Sequence, residues 1–141
     1  MPSQKLVIRL DPRAAPVPAL LDRLEAYAAT AALSALVAHR LGLVCEELAA
    51  NIAMHGADGE RGATFLEITV ERVADTLRLA IEDDGRPFDP LGAAPPDTTL
   101  DIESRAIGGL GIHLVRSLVR SMAYERLEDR NRLSAVLDAA G

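Results

Sequence analysis

The stretch from Leu41 to Gly56 limits the fold more than any other part of the chain. Leu41, Val44, Cys45, Leu48 and Ile52 recur at helical spacing and predict the apolar side of a long helix. Glu47, Asn51 and His55 stand at i, i+4 and i+8 of the same helix. At about 100° per residue they form a line along it. That line falls at the edge of the apolar side, not opposite it. A carboxylate and an amide at a half-buried edge need partners, because burying them unpaired is costly. A ligand or a metal ion would supply such partners.

The rest of the chain arranges itself around this helix. Leu6, Ile8 and Leu10 alternate with polar residues and predict a first strand over Lys5 to Leu10. Pro16 and Pro18 sit where a helix begins, and Leu20, Leu21, Leu24 and Tyr27 repeat at helical spacing, predicting a helix from Val17 to about Ala32. Ser34 is placed to cap the second helix, and Gly56 to end it. Two alternating runs, Thr64 to Val73 and Thr76 to Ile81, are joined by Ala74-Asp75 and predict an antiparallel hairpin. An acidic turn, Glu82-Asp83-Asp84-Gly85, follows. The segment to Ile107 has no periodicity, and a loop of this length in a small domain reads as a lid, placed at about 86–107. A third helix is expected from the glycine cluster at 108–111, then strands over Ala123 to Glu128 and Arg132 to Leu137, separated by a turn at Asp129-Arg130-Asn131. The order β-α-α-β-β-lid-α-β-β predicts an α+β fold, a two-layer sandwich with a mixed, mainly antiparallel sheet and its helices on one face.

At 141 residues the chain is expected to form a single domain, 1–141, with one core. Its hydrophobic fraction of 49% excludes a disordered chain. Trp is absent, so an aliphatic core is expected, with Phe65 and Phe88 as its few large rings. A net charge of −6 argues against a general nucleic-acid binder. No apolar run approaches the ~20 residues that span a bilayer, and no signal-peptide pattern opens the chain. The single cysteine, Cys45, lies on the apolar side of the central helix and reads as a small buried hydrophobe. A cytoplasmic protein is expected, without membrane or direct nucleic-acid contacts.

Three features carry chemistry. A lone Glu47 is usually a solvated helix residue, but Asn51 is a poor interior-helix residue inside an apolar segment. Asn51 is either a structural hydrogen-bonding group or an oxygen ligand for Mg²⁺. Asp83 is either a turn former or a carboxylate that accepts a hydrogen bond from an exocyclic amine such as that of adenine. Gly85 would let a base approach the backbone. Gly108-Gly109-Leu110-Gly111 is either a hinge or a helix start whose backbone N–H groups hold phosphate. A phosphate-binding P-loop, a eukaryotic-type kinase motif set, zinc-ligand spacing and a nucleophile elbow are all absent from the sequence.

Taken in order, these features resemble the GHKL ATPase superfamily with its Bergerat fold, and within it the anti-sigma-factor serine/threonine kinases of the RsbW and SpoIIAB type. Glu47 to Gly56 resembles that family's E-x-x-x-N-x-x-x-H-G box. Asp83-Asp84-Gly85-Arg86-Pro87-Phe88-Asp89-Pro90 resembles its first glycine box, and Gly109-Leu110-Gly111 its second. Pro87 stands where many members have glycine, and no charged residue precedes Gly108-Gly109 as it often does in the family.

The resemblance implies ATP bound under a lid, with Mg²⁺ held through Asn51. It places Asp83 at the adenine amino group, with Gly85 and Phe88 in the same box. Gly108, Gly109, Leu110 and Gly111 would lie at the phosphates. Glu47 would be the general base that takes a proton from a serine or threonine hydroxyl on a partner protein. The implied function is a protein kinase that sequesters a sigma factor or similar regulator and phosphorylates a STAS-type anti-anti-sigma antagonist in a partner-switching circuit. The alternative is a non-catalytic ATP-binding module that only sequesters a partner. A homodimer is expected from the resemblance alone.

Overall fold

The computed structural model describes residues 5–13, 17–55, 62–92 and 109–140. Its elements are β1 (Lys5–Leu10), α1 (Val17–Thr30), α2 (Ala35–His55), β2 (Leu66–Val73), β3 (Thr76–Asp83), a single 3-10 turn (Pro90–Gly92), α3 (Gly109–Leu118), β4 (Ser121–Leu127) and β5 (Arg130–Asp138). Residues 93–107 of the expected lid, with Gly108 and Gly56, lie outside the described residues.

The five strands form one sheet in the order β1-β2-β3-β5-β4. Every neighbouring pair is antiparallel, which corrects the expectation of a mixed sheet. The physical reason is the place of β5. β3 and β4 are joined through α3 and run parallel, but β5 returns from β4 into the gap between them and pairs with both.

Alternation sets the two faces of the sheet. Ile8, Ile68, Ile81 and Leu133 form one cross-strand row of inward residues that continues to Tyr124. They are buried under α1, α2 and α3 together with Leu20, Leu24, Leu41, Val44, Leu48, Ile112 and Val115. The opposite face carries Glu67, Glu82 and Arg132 in another row.

The helix ends follow from local chemistry. Ser34 Oγ accepts a hydrogen bond from the Val37 N–H at 3.1 Å, so Ser34 caps α2 as expected. α1 ends two residues before the expected Ala32 because the chain turns over there. Leu33 N–H bonds Ala28 O at 3.0 Å and Ala32 N–H bonds Ala29 O at 3.2 Å, with Ala32 at φ 55°. This is a Schellman ending with alanine where glycine is usual. The two-residue hairpin turn is built the same way, with Ala74 at φ 54°.

The core is aliphatic, but neither phenylalanine belongs to it. Phe65 is half-buried outside the core, with the Arg9 guanidinium at 4.1 Å and that of Arg130 at 5.0 Å from its centroid. Phe88 is half-buried in the loop after β3. The large core ring is Tyr27, which accepts a hydrogen bond from the Arg72 N–H at 3.1 Å. Cys45 is fully buried, and burial pushes its thiol up to about 12, which makes it an inert packing group.

Candidate functional site

The site is built where α2, the end of β3 and β5 meet. Asn51 on α2, Asp83 at the last position of β3, Phe88 in the following loop, and Tyr124 and Asn131 on β4 and β5 line one cavity. Its apolar walls come from Leu48, Ile52 and Ile81. The enclosed volume is about 30 Å³. That holds a water or two, so a larger ligand must extend toward the open side.

The amphipathic edge predicted for α2 is where the sequence put it. Val44, Cys45, Leu48 and Ala49 are buried, while Glu47 and Asn51 are half-buried. His55 closes α2, and its side chain lies outside the described residues.

Asp83 is the central group. It is only 5% exposed, at an inward position of β3 among residues that are otherwise apolar. Its cross-strand neighbour on β5 is Asn131, also 5% exposed. Asn131 Nδ2 donates to Asp83 Oδ1 at 3.1 Å, and the Gly85 N–H donates to the same oxygen at 2.9 Å. Among the described residues no hydrogen bond reaches Oδ2. Burial raises the Asp83 carboxyl above its ordinary value, the nearby Asp84 adds to this, and the Asn131, Gly85 and Arg126 groups oppose it. A buried carboxylate with one unused oxygen is suited to accept a hydrogen bond from a ligand.

The sequence reading places Asn131 at the end of the turn at 129–131. The structure corrects this and makes it an inward residue of β5, in phase with Leu133, Ala135 and Leu137. That phase was the available sequence signal. Its amide ties the loop after β3 to the sheet. Nδ2 also donates to Arg86 O at 2.8 Å, while Oδ1 accepts from the Phe88 N–H at 3.1 Å and from the Tyr124 hydroxyl. Arg126, on the same cross-strand row, donates through Nη1 to Gly85 O at 2.8 Å. Sequence reasoning missed Asn131, Tyr124 and Arg126 as site residues.

Gly85 is buried and meets Asp83 through its N–H. Gly109 opens α3, and Leu110 and Gly111 belong to its first turn. Gly111 lies against Glu47: a Cβ at position 111 would stand 2.5 Å from Glu47 Oε2. Glycine there lets the carboxylate and the helix start share one space. The negative charge also lies at the favourable end of the α3 dipole. The structure therefore gathers Asn51, Asp83 and Phe88 around one cavity, and sets Glu47 against Gly111 of the second glycine box.

The Mg²⁺ expectation can be tested on the donor set. Among the described residues no group of three or more His, Cys, Asp or Glu side chains is placed to hold a metal ion. Asn51 offers one neutral amide oxygen. That fits a Mg²⁺ ion that keeps waters and takes its other ligands from nucleotide phosphates, and does not fit an all-protein cage.

Comparison with known proteins follows the same lines. Residues 10–137 match the family model described as histidine kinase-like ATPase domain. The chain belongs to this family. It is therefore an ATP-binding, kinase-like domain of the GHKL type. It is 26% identical over 107 residues to the serine/threonine-protein kinase BtrW of Bordetella bronchiseptica, covering 76% of this chain and 75% of that protein. Two solved structures share the fold. The histidine kinase domain of the Erythrobacter litoralis blue-light activated histidine kinase EL346 superposes with TM-score 0.52 at 20% identity, over 72% of this chain and 44% of that one. A longer structure of the same kinase gives TM-score 0.55 at 20% identity, over 77% and 32%. The chain thus spans less than half the length of these structural neighbours. Among the described residues no helix is long and apolar enough to cross a membrane.

Proposed function

We propose that this domain is a serine/threonine protein kinase of the anti-sigma-factor type. The carrying observation is that Asp83 and Asn51 line one cavity, while Glu47, one turn before Asn51 on α2, meets Gly111. Asp83 accepts a hydrogen bond from the adenine amino group. Asn51 supplies an oxygen to the Mg²⁺ that accompanies ATP, and that ion offsets phosphate charge. Gly108, Gly109, Leu110 and Gly111 provide backbone N–H groups near the phosphates. Glu47 takes the proton of a partner's serine or threonine hydroxyl as that oxygen bonds to the γ-phosphorus. The bond from the γ-phosphorus to the bridging oxygen breaks, and ADP leaves. Phosphoryl transfer asks little more of a protein than positioning, charge compensation and a base. The naming of the Bordetella relative as a serine/threonine-protein kinase supports the acceptor class.

The proposed acceptor is a small STAS-type anti-anti-sigma protein, and the proposed sequestered partner is a sigma factor or similar regulator. The chain acts as a homodimer in the cytoplasm. The test incubates the protein with labelled ATP, Mg²⁺ and a candidate antagonist, comparing wild type with Glu47→Ala. Label is expected on the antagonist with wild type and not with Glu47→Ala, while both bind ATP. Undiminished label in Glu47→Ala removes the proposed base. ATP binding by wild type with no label on any antagonist leaves a sequestering module.

A further inference from the structure

Asp83 has two oxygens, and both of its donors converge on one of them. Asn131 is the side chain that, with the Gly85 N–H, imposes this. We propose that Asn131 is a positioning residue for nucleobase choice: by holding Asp83 in one orientation with Oδ2 left as the free acceptor, it makes the cavity select adenine over guanine nucleotides. The inference rests on the nucleotide reading above and deepens it.

An asparagine side chain has two N–H donors and two acceptor lone pairs. At Asn131 all four are used: Nδ2 on Asp83 Oδ1 and Arg86 O, and Oδ1 by the Phe88 N–H and the Tyr124 hydroxyl. Flipping the amide would turn its oxygen toward Asp83 and Arg86 O, and its N–H groups toward the Phe88 N–H. Three contacts, at Asp83, Arg86 O and the Phe88 N–H, would oppose the flip, so the donor facing Asp83 is fixed. With Oδ1 engaged, the carboxylate meets a ligand through Oδ2, as an acceptor.

Adenine carries an amino group at the ring position where guanine carries a carbonyl oxygen. Against a fixed acceptor the amine makes a hydrogen bond, whereas the carbonyl places acceptor against acceptor. A site built to bond one polar group discriminates strongly against a ligand that lacks it. Removing Asn131 undoes this in two ways. Asp83 Oδ1 is then held by the Gly85 N–H alone, which leaves the side chain freer to turn. It also loses a donor that favours its ionised form, which weakens it as an acceptor for the adenine amine.

The test is isothermal titration of ATP and GTP, each with Mg²⁺, into wild type, Asn131→Ala and Tyr124→Phe. Wild type is expected to favour ATP. In Asn131→Ala the ATP-to-GTP ratio of affinities is expected to fall about tenfold or more. Tyr124→Phe removes a bond to Asn131 without touching its donor to Asp83, so it weakens both nucleotides together and keeps the ratio within about twofold. An equal loss of both nucleotides in Asn131→Ala overturns the inference and makes Asn131 a structural residue, with the adenine reading intact. A wild type that binds ATP and GTP equally also overturns it. A wild type that binds neither removes the nucleotide reading and the inference with it. Should Asn131→Ala not fold, Asn131→Leu keeps the side chain's approximate volume and takes away its donor to Asp83. The same loss of preference is expected there, and a preserved ratio counts against the proposal.

Discussion

At the end of β3 two consecutive carboxylates serve different regions of the molecule. Asp83 points inward to the cavity, and Asp84 turns to the chain that enters β2. Asp84 Oδ1 accepts from the Thr64 N–H at 2.7 Å and the Phe65 N–H at 3.1 Å, and Oδ2 accepts from the Thr64 hydroxyl. Burial alone would raise the Asp84 carboxyl, but these donors outweigh it and hold it below its ordinary value. At Asp83 burial wins and the carboxyl is raised. Two identical side chains one residue apart thus titrate in opposite directions. Asp84 is satisfied by its own chain and is structural. Asp83 is left with spare acceptor capacity, and that capacity is what a binding site needs.

The largest effect that would break this contrast is at Asp83. Asp83→Asn keeps the shape and the bond from Asn131 but presents an amide to the ligand. Its ATP affinity is expected to fall at least about 100-fold, while the urea midpoint holds or rises because a buried charge is gone. A fall in the urea midpoint would make Asp83 structural after all.

Asp84→Ala should do the reverse. It strips three donors of their acceptor and is expected to cost about 2 kcal/mol of stability, discounted because the group is partly solvated. ATP affinity of the folded variant should stay close to wild type. Titration calorimetry beside urea unfolding reads both quantities.

A pH series sharpens the contrast further. Asp84 has a folded value below 3.8, so its stabilisation is present above pH 3.8 and is lost as pH falls through the folded value. Asp83 has a folded value above 3.8, so its contribution is present below pH 3.8 and is lost as pH rises through the folded value. The stability difference between wild type and Asp84→Asn should therefore shrink in acid. For Asp83→Asn the variant's advantage should grow as pH rises from 3.8 through Asp83's folded value and then level off. Curves that move together would mean the two carboxylates share one environment.

The smallest effect lies away from the site. Ala32 and Ala74 are exposed at φ 55° and 54°, where glycine is unstrained. Ala32→Gly and Ala74→Gly are each expected to raise stability by about 1 kcal/mol without changing ATP affinity. Destabilisation by either would show that the turn tolerates alanine without strain.

The element order, the α2 edge with Glu47 and Asn51, and the placement of Asp83 at a strand end were legible in the sequence, because each depends on local spacing. The start of β2 was less so. Its predicted first residues, Thr64 and Phe65, give their N–H groups to Asp84 rather than continuing the strand. Phe65 reads as core from its size, but it is half-buried outside the core, beside Arg9 and Arg130 from distant parts of the chain. Asn131 was misread because asparagine next to Asp129 and Arg130 looks like a turn until its strand partner is known.

By itself the sequence determined the helix and strand periods, the polar line of α2 and the order of the nucleotide boxes, since these are properties of residues a few positions apart. Only the tertiary structure decided that β5 enters between β3 and β4. That insertion makes the sheet antiparallel throughout and sets Asn131 beside Asp83, 48 residues earlier in the chain. Only the fold, too, brought Gly111 against Glu47. Such contacts depend on packing between distant segments, and no local pattern records which distant partner a polar side chain will meet.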